Sequence, residues 1–297
     1  MRKRFFFTFF VMLFSSVVLF SANDITSEFD GEILFTSERD GNWEIYIMNA
    51  GGDEVKRLTN SPSMDYSPSW SADGRQVVFN SNRNGNMDIF IMDRDGENIS
   101  CLTSDSQAND TFPDWSPVSD DIVFSSNRNG VSALYLVKAD GSDLRLLCEL
   151  NGHSYCPRWS PDGKRIAFAS RFGNNPEICV INVDGTELMR LTEKSDQDVC
   201  PSWSPDGTQI VYSSSNGIRG EDISLMNADG TNDRIIIRNY ECNDFVPTFS
   251  PDGNYIAFQM SYGRDDEIAV YNVQTEEIVR LTYSRGWDSE PRWRKQK

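Results

Sequence analysis

The sequence predicts an all-β fold, a six-bladed β-propeller whose C-terminal strand closes the first blade. Three observations carry this. A Pro-x-aromatic unit recurs six times, with the aromatic residue at 70, 115, 159, 203, 249 and 293, in steps of 45, 44, 44, 46 and 44. Each interval contains four short β-type runs divided by turn residues, and no amphipathic helical stretch of useful length. The two ends of the pattern are offset: the first unit begins at its second run, Glu32-Ile33-Leu34-Phe35, and the last Pro-x-Trp, Pro291 to Trp293, has no run after it. Joining them completes the sixth blade of a closed ring, which leaves no exposed sheet edge between its ends.

The elements of a unit follow in a constant order. After the aromatic comes a tight turn, as in Ala72-Asp73-Gly74, Pro161-Asp162-Gly163, Pro205-Asp206-Gly207 and Pro251-Asp252-Gly253. Asp-Gly supplies the positive φ that a short hairpin needs. The second run follows (Val77-Val78-Phe79, Ile122-Val123-Phe124, Ile166-Ala167-Phe168), then a Ser/Asn/Arg/Gly loop, then a third run such as Ile45-Tyr46-Ile47-Met48. A second Asp-Gly turn, at Asp95-Gly96, Asp140-Gly141, Asp184-Gly185 and Asp229-Gly230, leads to a fourth run ending near Leu-Thr.

Residues 1–22 read as an export signal and 23–297 as the propeller. Met1-Arg2-Lys3-Arg4 is a basic start, and Phe5 to Phe20 is a run of sixteen residues without charge. Cleavage near Ser21 or Ala22 is one outcome. Leu19 and Phe20 are not small, so an uncleaved N-terminal anchor is the other. The segment has no Cys, which excludes a bacterial lipoprotein anchor. The expected location is periplasmic or secreted, with membrane contact only through an uncleaved signal or a partner.

The composition removes several function classes. With 28 Lys plus Arg against 45 Asp plus Glu, the net charge is −17, which speaks against nucleic-acid binding because phosphate neutralisation needs clustered basic residues. The single His excludes sites that need two imidazoles. The six Cys are not spaced as a disulfide framework; packed free thiols are expected, with one bridge open. Cys156 and Cys200 share one position in successive repeats, each directly before a Pro.

The motif order Trp-Ser-Pro-Asp-Gly, Ile-Ala-Phe, Ser-x-Arg-x-Gly, Ile-Tyr, Asp-Gly, Leu-Thr resembles the TolB-type (WD-like, PD-repeat) six-bladed β-propellers over about residues 30–294. WD repeats proper need a Gly-His in each blade, and kelch blades need paired glycines; neither pattern is present. The resemblance implies an exported, non-enzymatic, monomeric scaffold that holds a protein or peptide partner, an envelope lipoprotein among the candidates, at its channel face. The resemblance extends to the propeller only. The α/β domain that precedes it in TolB is not expected here, since about eight residues separate the signal from the first blade.

The innermost strand and the loop between the second and third strands meet on one face of a propeller. Three residues before each repeat Pro stand Asp65, Asp110, Ser154, Asp198, Asp244 and Asp288, and the nearby loops carry Arg39, Arg83, Arg128 and Arg171. One reading makes these a channel rim for a basic partner segment or a cation such as calcium, with no cofactor otherwise expected. The other makes each Asp a cap or an Arg partner within its own blade. A feature repeated in every blade belongs more often to the blade than to a ligand. The same reasoning assigns the repeated Trp to packing between blades and the Asp-Gly turns, such as Asp93-Arg94-Asp95-Gly96-Glu97, to hairpins rather than calcium loops. Candidates for asymmetric contacts are His153, Tyr155, Arg219, Tyr262, Arg264 and Trp287. The alternative function is a carboxylate-dependent hydrolase or lyase acting on envelope or extracellular glycans. No Gly-x-Ser-x-Gly elbow occurs, which removes the serine-hydrolase route.

Overall fold

The computed structural model describes residues 29–294, except 105–106, 195–196, 216–219, 239–242 and 263–264 and the side chain of Tyr262. The signal segment 1–22, Arg219 and Arg264 lie outside the described residues. Among the described residues there are strands and turns, and no helix long and apolar enough to cross a membrane.

Six four-stranded antiparallel sheets form the blades. Their innermost strands are Asp288–Arg294 for the first blade, then Asp65–Trp70, Asp110–Trp115, Ser154–Trp159, Gln197–Trp203 and Asn243–Phe249. The first blade is closed as expected: Ile33 pairs with Trp293, Leu34 with Arg292 and Ser37 with Asp288. The first and last strands come so close that a Cβ on Gly31, at φ 118°, would meet the Arg294 carbonyl oxygen at 2.1 Å. Only glycine fits there.

The apolar core is divided among the interfaces between blades. Six clusters of buried side chains each combine residues of two neighbouring blades, as where Leu34 and Ile45 of the first pack against Trp70, Phe79 and Phe90 of the second. The repeated Trp belongs to this packing. It is buried, and its indole N–H donates to a main-chain carbonyl of the preceding blade: Trp70 to Arg292 (3.3 Å), Trp159 to Asp114 (3.1 Å) and Trp203 to Arg158 (3.2 Å).

The remaining motif letters have local causes. In Ser-x-Asp-Gly the Ser hydroxyl donates to the Asp (Ser160 to Asp162, 2.7 Å). The Asp accepts the N–H two residues on (Lys164, 3.1 Å), and the Ser oxygen accepts the N–H of Arg165 (2.9 Å). The same pattern recurs at Asp73, Asp206 and Asp252, so these carboxylates stitch turns. The Thr of Leu-Thr accepts the N–H that opens the third strand: Ile45 to Thr59, Ile89 to Thr103, Ile178 to Thr192 and Ile268 to Thr282, at 2.9–3.0 Å.

Every innermost strand carries a register shift near its Pro. The residue before that Pro has positive φ in all six: Ser67 (51°), Phe112 (54°), Cys156 (53°), Cys200 (52°), Val246 (48°) and Glu290 (55°). This bulge turns a main-chain N–H away from its own ladder and toward the preceding blade. There it finds a side-chain acceptor: Ser67 on Glu290 (2.7 Å), Phe112 on Asn80 (3.2 Å) and Val246 on Ser213 (3.0 Å).

Truncation before Asp288 removes the inner strand of the first blade and exposes both the edge of Glu32–Ser37 and the apolar cluster behind it. The truncated chain is expected to lose its cooperative thermal transition and its near-UV circular dichroism. A sharp transition close to that of the full chain would refute the closure as the determinant of stability.

Candidate partner-binding face

The five aspartates singled out in the sequence lie beneath the channel face, not on it: each is 0% exposed. In the first three blades the Asp is ion-paired with the loop Arg of the same blade. Arg39 reaches Asp288 at 2.8 Å, Arg83 reaches both oxygens of Asp65 at 2.9 Å, and Arg128 reaches Asp110 at 2.8 Å. Each guanidinium also donates its Nε to the Ser two residues earlier: Ser37 (2.9 Å), Ser81 (3.0 Å) and Ser126 (2.8 Å). It lies over two aromatic rings as well, Phe35 and Tyr46, Phe79 and Phe90, or Phe124 and Tyr135. The motif Phe-x-Ser-x-Arg builds this arrangement, because a period of two puts all three side chains on one side of the strand.

The fourth blade reads Phe168-Ala169-Ser170-Arg171, with the Arg one residue early. A one-residue shift moves a side chain to the other face. Arg171 is accordingly exposed, and Ser154, which replaces the Asp, meets Ser170 hydroxyl to hydroxyl at 3.0 Å. His153 lies beside it. Its main-chain oxygen accepts the Arg171 N–H (3.0 Å), its Nδ1 accepts the Ser132 N–H (3.3 Å), and the side chain is exposed. The two border a depression of about 490 Å³ with Leu150 and Phe172.

The fifth and sixth blades leave their carboxylates under-partnered. Asp198 accepts from Ser214 (2.6 Å) through one oxygen, and its Oδ2 has no partner among the described residues. In the sixth blade the Ser position is Met260, which pairs in register with Asp244. Neither oxygen of Asp244 has a partner among the described residues. Burial first, and the charge of Asp222 second, push its carboxyl up to about 7. Burial also pushes Glu221 up to about 7, with Oε2 unpartnered among the described residues.

On this face the accessible side chains lie one and two places after the Asp or its counterpart Ser154, except that Ser67 and Cys156 are buried. Tyr66, Thr111, Phe112, Tyr155, Val199, Cys200, Phe245, Val246, Ser289 and Glu290 are all half-buried on the channel wall. Beside the mouth, Trp43 lies 5.4 Å from Tyr66 and 6.0 Å from Trp287, ring centre to ring centre, with Met64 next to Tyr66. Trp287 is 45% exposed and Met64 44%. The sequence reading picked out Tyr155 and Trp287 and passed over Trp43, Met64, Tyr66 and Phe245. The available signal was variability: the residue after the Asp position takes five identities in six repeats, whereas the Asp itself is nearly constant.

This geometry agrees with the sequence comparisons. The model of the TolB β-propeller domain matches residues 27–106 and 143–235. The chain belongs to the TolB β-propeller family. Over 64 residues it is 36% identical to the Tol-Pal system protein TolB of Geobacter sulfurreducens, a match spanning 22% of this chain and 15% of that relative's length. The crystal structure of TolB from Acinetobacter baumannii superposes with a TM-score of 0.80 at 20% identity, covering 89% of this chain and 67% of that one. An oligogalacturonate lyase from Vibrio parahaemolyticus shares the fold at a TM-score of 0.59 and 16% identity, over 84% of this chain and 74% of that one. The fold of the TolB family is therefore found in binding proteins and enzymes alike, and function is argued from the site.

Two expectations follow. Arg83→Met leaves Asp65 buried without its cation and costs about 3 kcal/mol at neutral pH by urea denaturation. Adding Asp65→Asn recovers at least about 1 kcal/mol of that, a coupling that an independent pair would not show. Asp244 contributes with the opposite sign. Its folded-state value lies above that of the unfolded chain, so the native state holds the proton longer. The associated stability is fully present below about pH 4 and is lost as pH rises to about 7. Asp244→Asn is expected to flatten that fall and to stabilise the protein at pH 8 by about 2–4 kcal/mol. Thermal melts from pH 4 to 8 check this; parallel curves for both proteins would refute it.

Proposed function

We propose that the protein is an exported, non-enzymatic propeller that captures a protein or peptide partner at its channel face, in an envelope role like that of its TolB relatives. The observation that carries the reading is the mouth itself: half-buried Tyr66, Phe112, Tyr155 and Phe245 around the channel, with Trp43, Trp287 and Met64 at its edge. Partly exposed aromatic clusters framed by Arg are the composition of interface hot spots. Arg39, Arg83 and Arg128 are 16–20% exposed and held rigid from below by the buried aspartates, while Arg171 and His153 extend the face on the fourth blade. In this reading Asp65, Asp110 and Asp288 position the guanidiniums, and Asp198 and Asp244 lie buried beneath the mouth without an Arg partner among the described residues. An envelope lipoprotein is the partner class that the Tol-Pal name of the relative suggests. The periplasm is the corresponding location.

The glycan-active reading has one observation of its own. Asp244 and Glu221 both have carboxyls raised to about 7, a value suited to proton transfer at neutral pH. The second carboxylate near Asp244 is Asp222, which is ion-paired with Arg238 at 3.3 Å and so is already engaged within the blade.

The test is capture of partners from envelope extract by the purified protein, with Trp287→Ala and Tyr66→Ala as probes. Each substitution is expected to weaken capture at least tenfold without lowering the melting temperature, and the Asp65→Asn, Asp198→Asn, Asp244→Asn triple variant to weaken its salt dependence. Undiminished capture by both aromatic variants would overturn the reading. Turnover of an oligosaccharide panel that Asp244→Asn abolishes would establish the enzymatic one.

A further inference from the structure

We propose that Cys156 and Cys200 are a disulfide-forming pair that links the fourth and fifth blades covalently at the channel wall. Their Sγ atoms lie 3.3 Å apart, the thiol of one hydrogen-bonded to the other. A disulfide needs about 2.0 Å, so the bond forms with an approach of little more than 1 Å.

The proximity follows from the repeat. Both residues occupy the bulge before the Pro of their innermost strands, at φ 53° and 52°. The same position in the first and second blades carries Glu290 and Ser67, whose side chains bond directly at 2.8 Å. Neighbouring bulge residues therefore reach each other as a property of the ring. In the fourth and fifth blades that reach joins two thiols. Of the other described cysteines, Cys148 and Cys179 are buried in the cluster between the third and fourth blades and Cys101 is half-buried on an outermost strand.

The position also fits a structural need. In the first three blades an Arg–Asp pair ties the loop to the innermost strand, and in the fourth, fifth and sixth the equivalent Ser154, Asp198 and Asp244 have no Arg partner among the described residues. A bond between residues 156 and 200 closes a loop of one whole repeat in the half of the ring that lacks them.

The chemistry is thiol–disulfide exchange with a small-molecule or protein disulfide as oxidant. One Cys thiolate attacks a sulfur of R–S–S–R and expels RS⁻. The second Cys loses its proton and attacks the resulting mixed disulfide, expelling another RS⁻. Two protein thiols are oxidised and one external disulfide is reduced to two RSH. The hydrogen bond with Cys156 and burial push the Cys200 thiol well above its ordinary range, so Cys200 is a slow nucleophile and a poor leaving group in exchange. This is the behaviour of a durable staple.

The experiment equilibrates the reduced full chain with excess oxidised glutathione, quenches with an alkylating agent under denaturing conditions, and maps the digested peptides by mass. The expected product contains a peptide pair joined through Cys156 and Cys200, two fewer alkylated thiols, and a melting temperature about 5–15 °C above that of the dithiothreitol-treated protein. Cys200→Ser is expected to fold, since the second blade carries Ser67 at this position, and to lose both the link and the shift. Recovery of both cysteines alkylated, each carrying glutathione without an internal link, or either bonded to a different cysteine would overturn the proposal.

Discussion

The bulge before the Pro of each innermost strand is the constraint on which the molecule depends. It places a non-glycine residue at positive φ six times, at Val246 in the least favourable residue class for it. Such backbone costs free energy, and it persists because the rest of the blade enforces it. In return the bulges at Ser67, Phe112 and Val246 bring a main-chain N–H to an acceptor in the preceding blade, and the pairs Ser67–Glu290 and Cys156–Cys200 bring neighbouring bulge side chains together. Contact between blades, the lining of the channel and the approach of Cys156 to Cys200 all follow from that local departure from a regular ladder.

The second organising force is buried charge. The Phe-x-Ser-x-Arg motif lays a guanidinium over two rings and aims it at a fully buried carboxylate, so that desolvation is offset by a charge-assisted pairing with the carboxylate and a hydrogen bond to the Ser hydroxyl. A parallel arrangement at the third strands joins Arg57 to Glu44, Arg190 to Glu177 and Arg280 to Glu267. Many of the acidic side chains thus serve the blades themselves, as turn stitches or Arg partners. Among the described residues the innermost-strand aspartates without an Arg partner are those of the fifth and sixth blades, Asp198 and Asp244, with Met260 in place of Ser beside the second.

A repeat protein therefore separates architecture from recognition in a simple way. What all blades share is used to hold the ring; what one or two blades change is presented to the outside. Trp43, Tyr66 and Trp287 lie beside a Ser-x-Arg motif that is otherwise identical in three blades, and Arg171 reaches solvent because it stands one residue earlier in its loop than Arg39, Arg83 and Arg128 do in theirs. Membership of the TolB family accounts for the first set. The partner must be sought among contacts to the second.

The architecture was legible from spacing, because a strand, a turn and a recurring aromatic depend on neighbours within a few residues. The six blades, the closure by residues 288–294 and the hairpin role of Asp-Gly all rest on such short-range patterns. The candidate site was legible only in part. The aspartates at 65, 110 and 288 and the arginines at 83, 128 and 39 were visible as repeated residues on one face. Their burial and pairing were not, since accessibility depends on how adjacent blades cover one another. The same holds for Asp244, whose isolation is decided by a cross-strand neighbour sixteen residues away, and for the thiols of Cys156 and Cys200, brought together by one full turn of the repeat. Local sequence determines which way a side chain leaves its strand; only the packed ring determines what it meets.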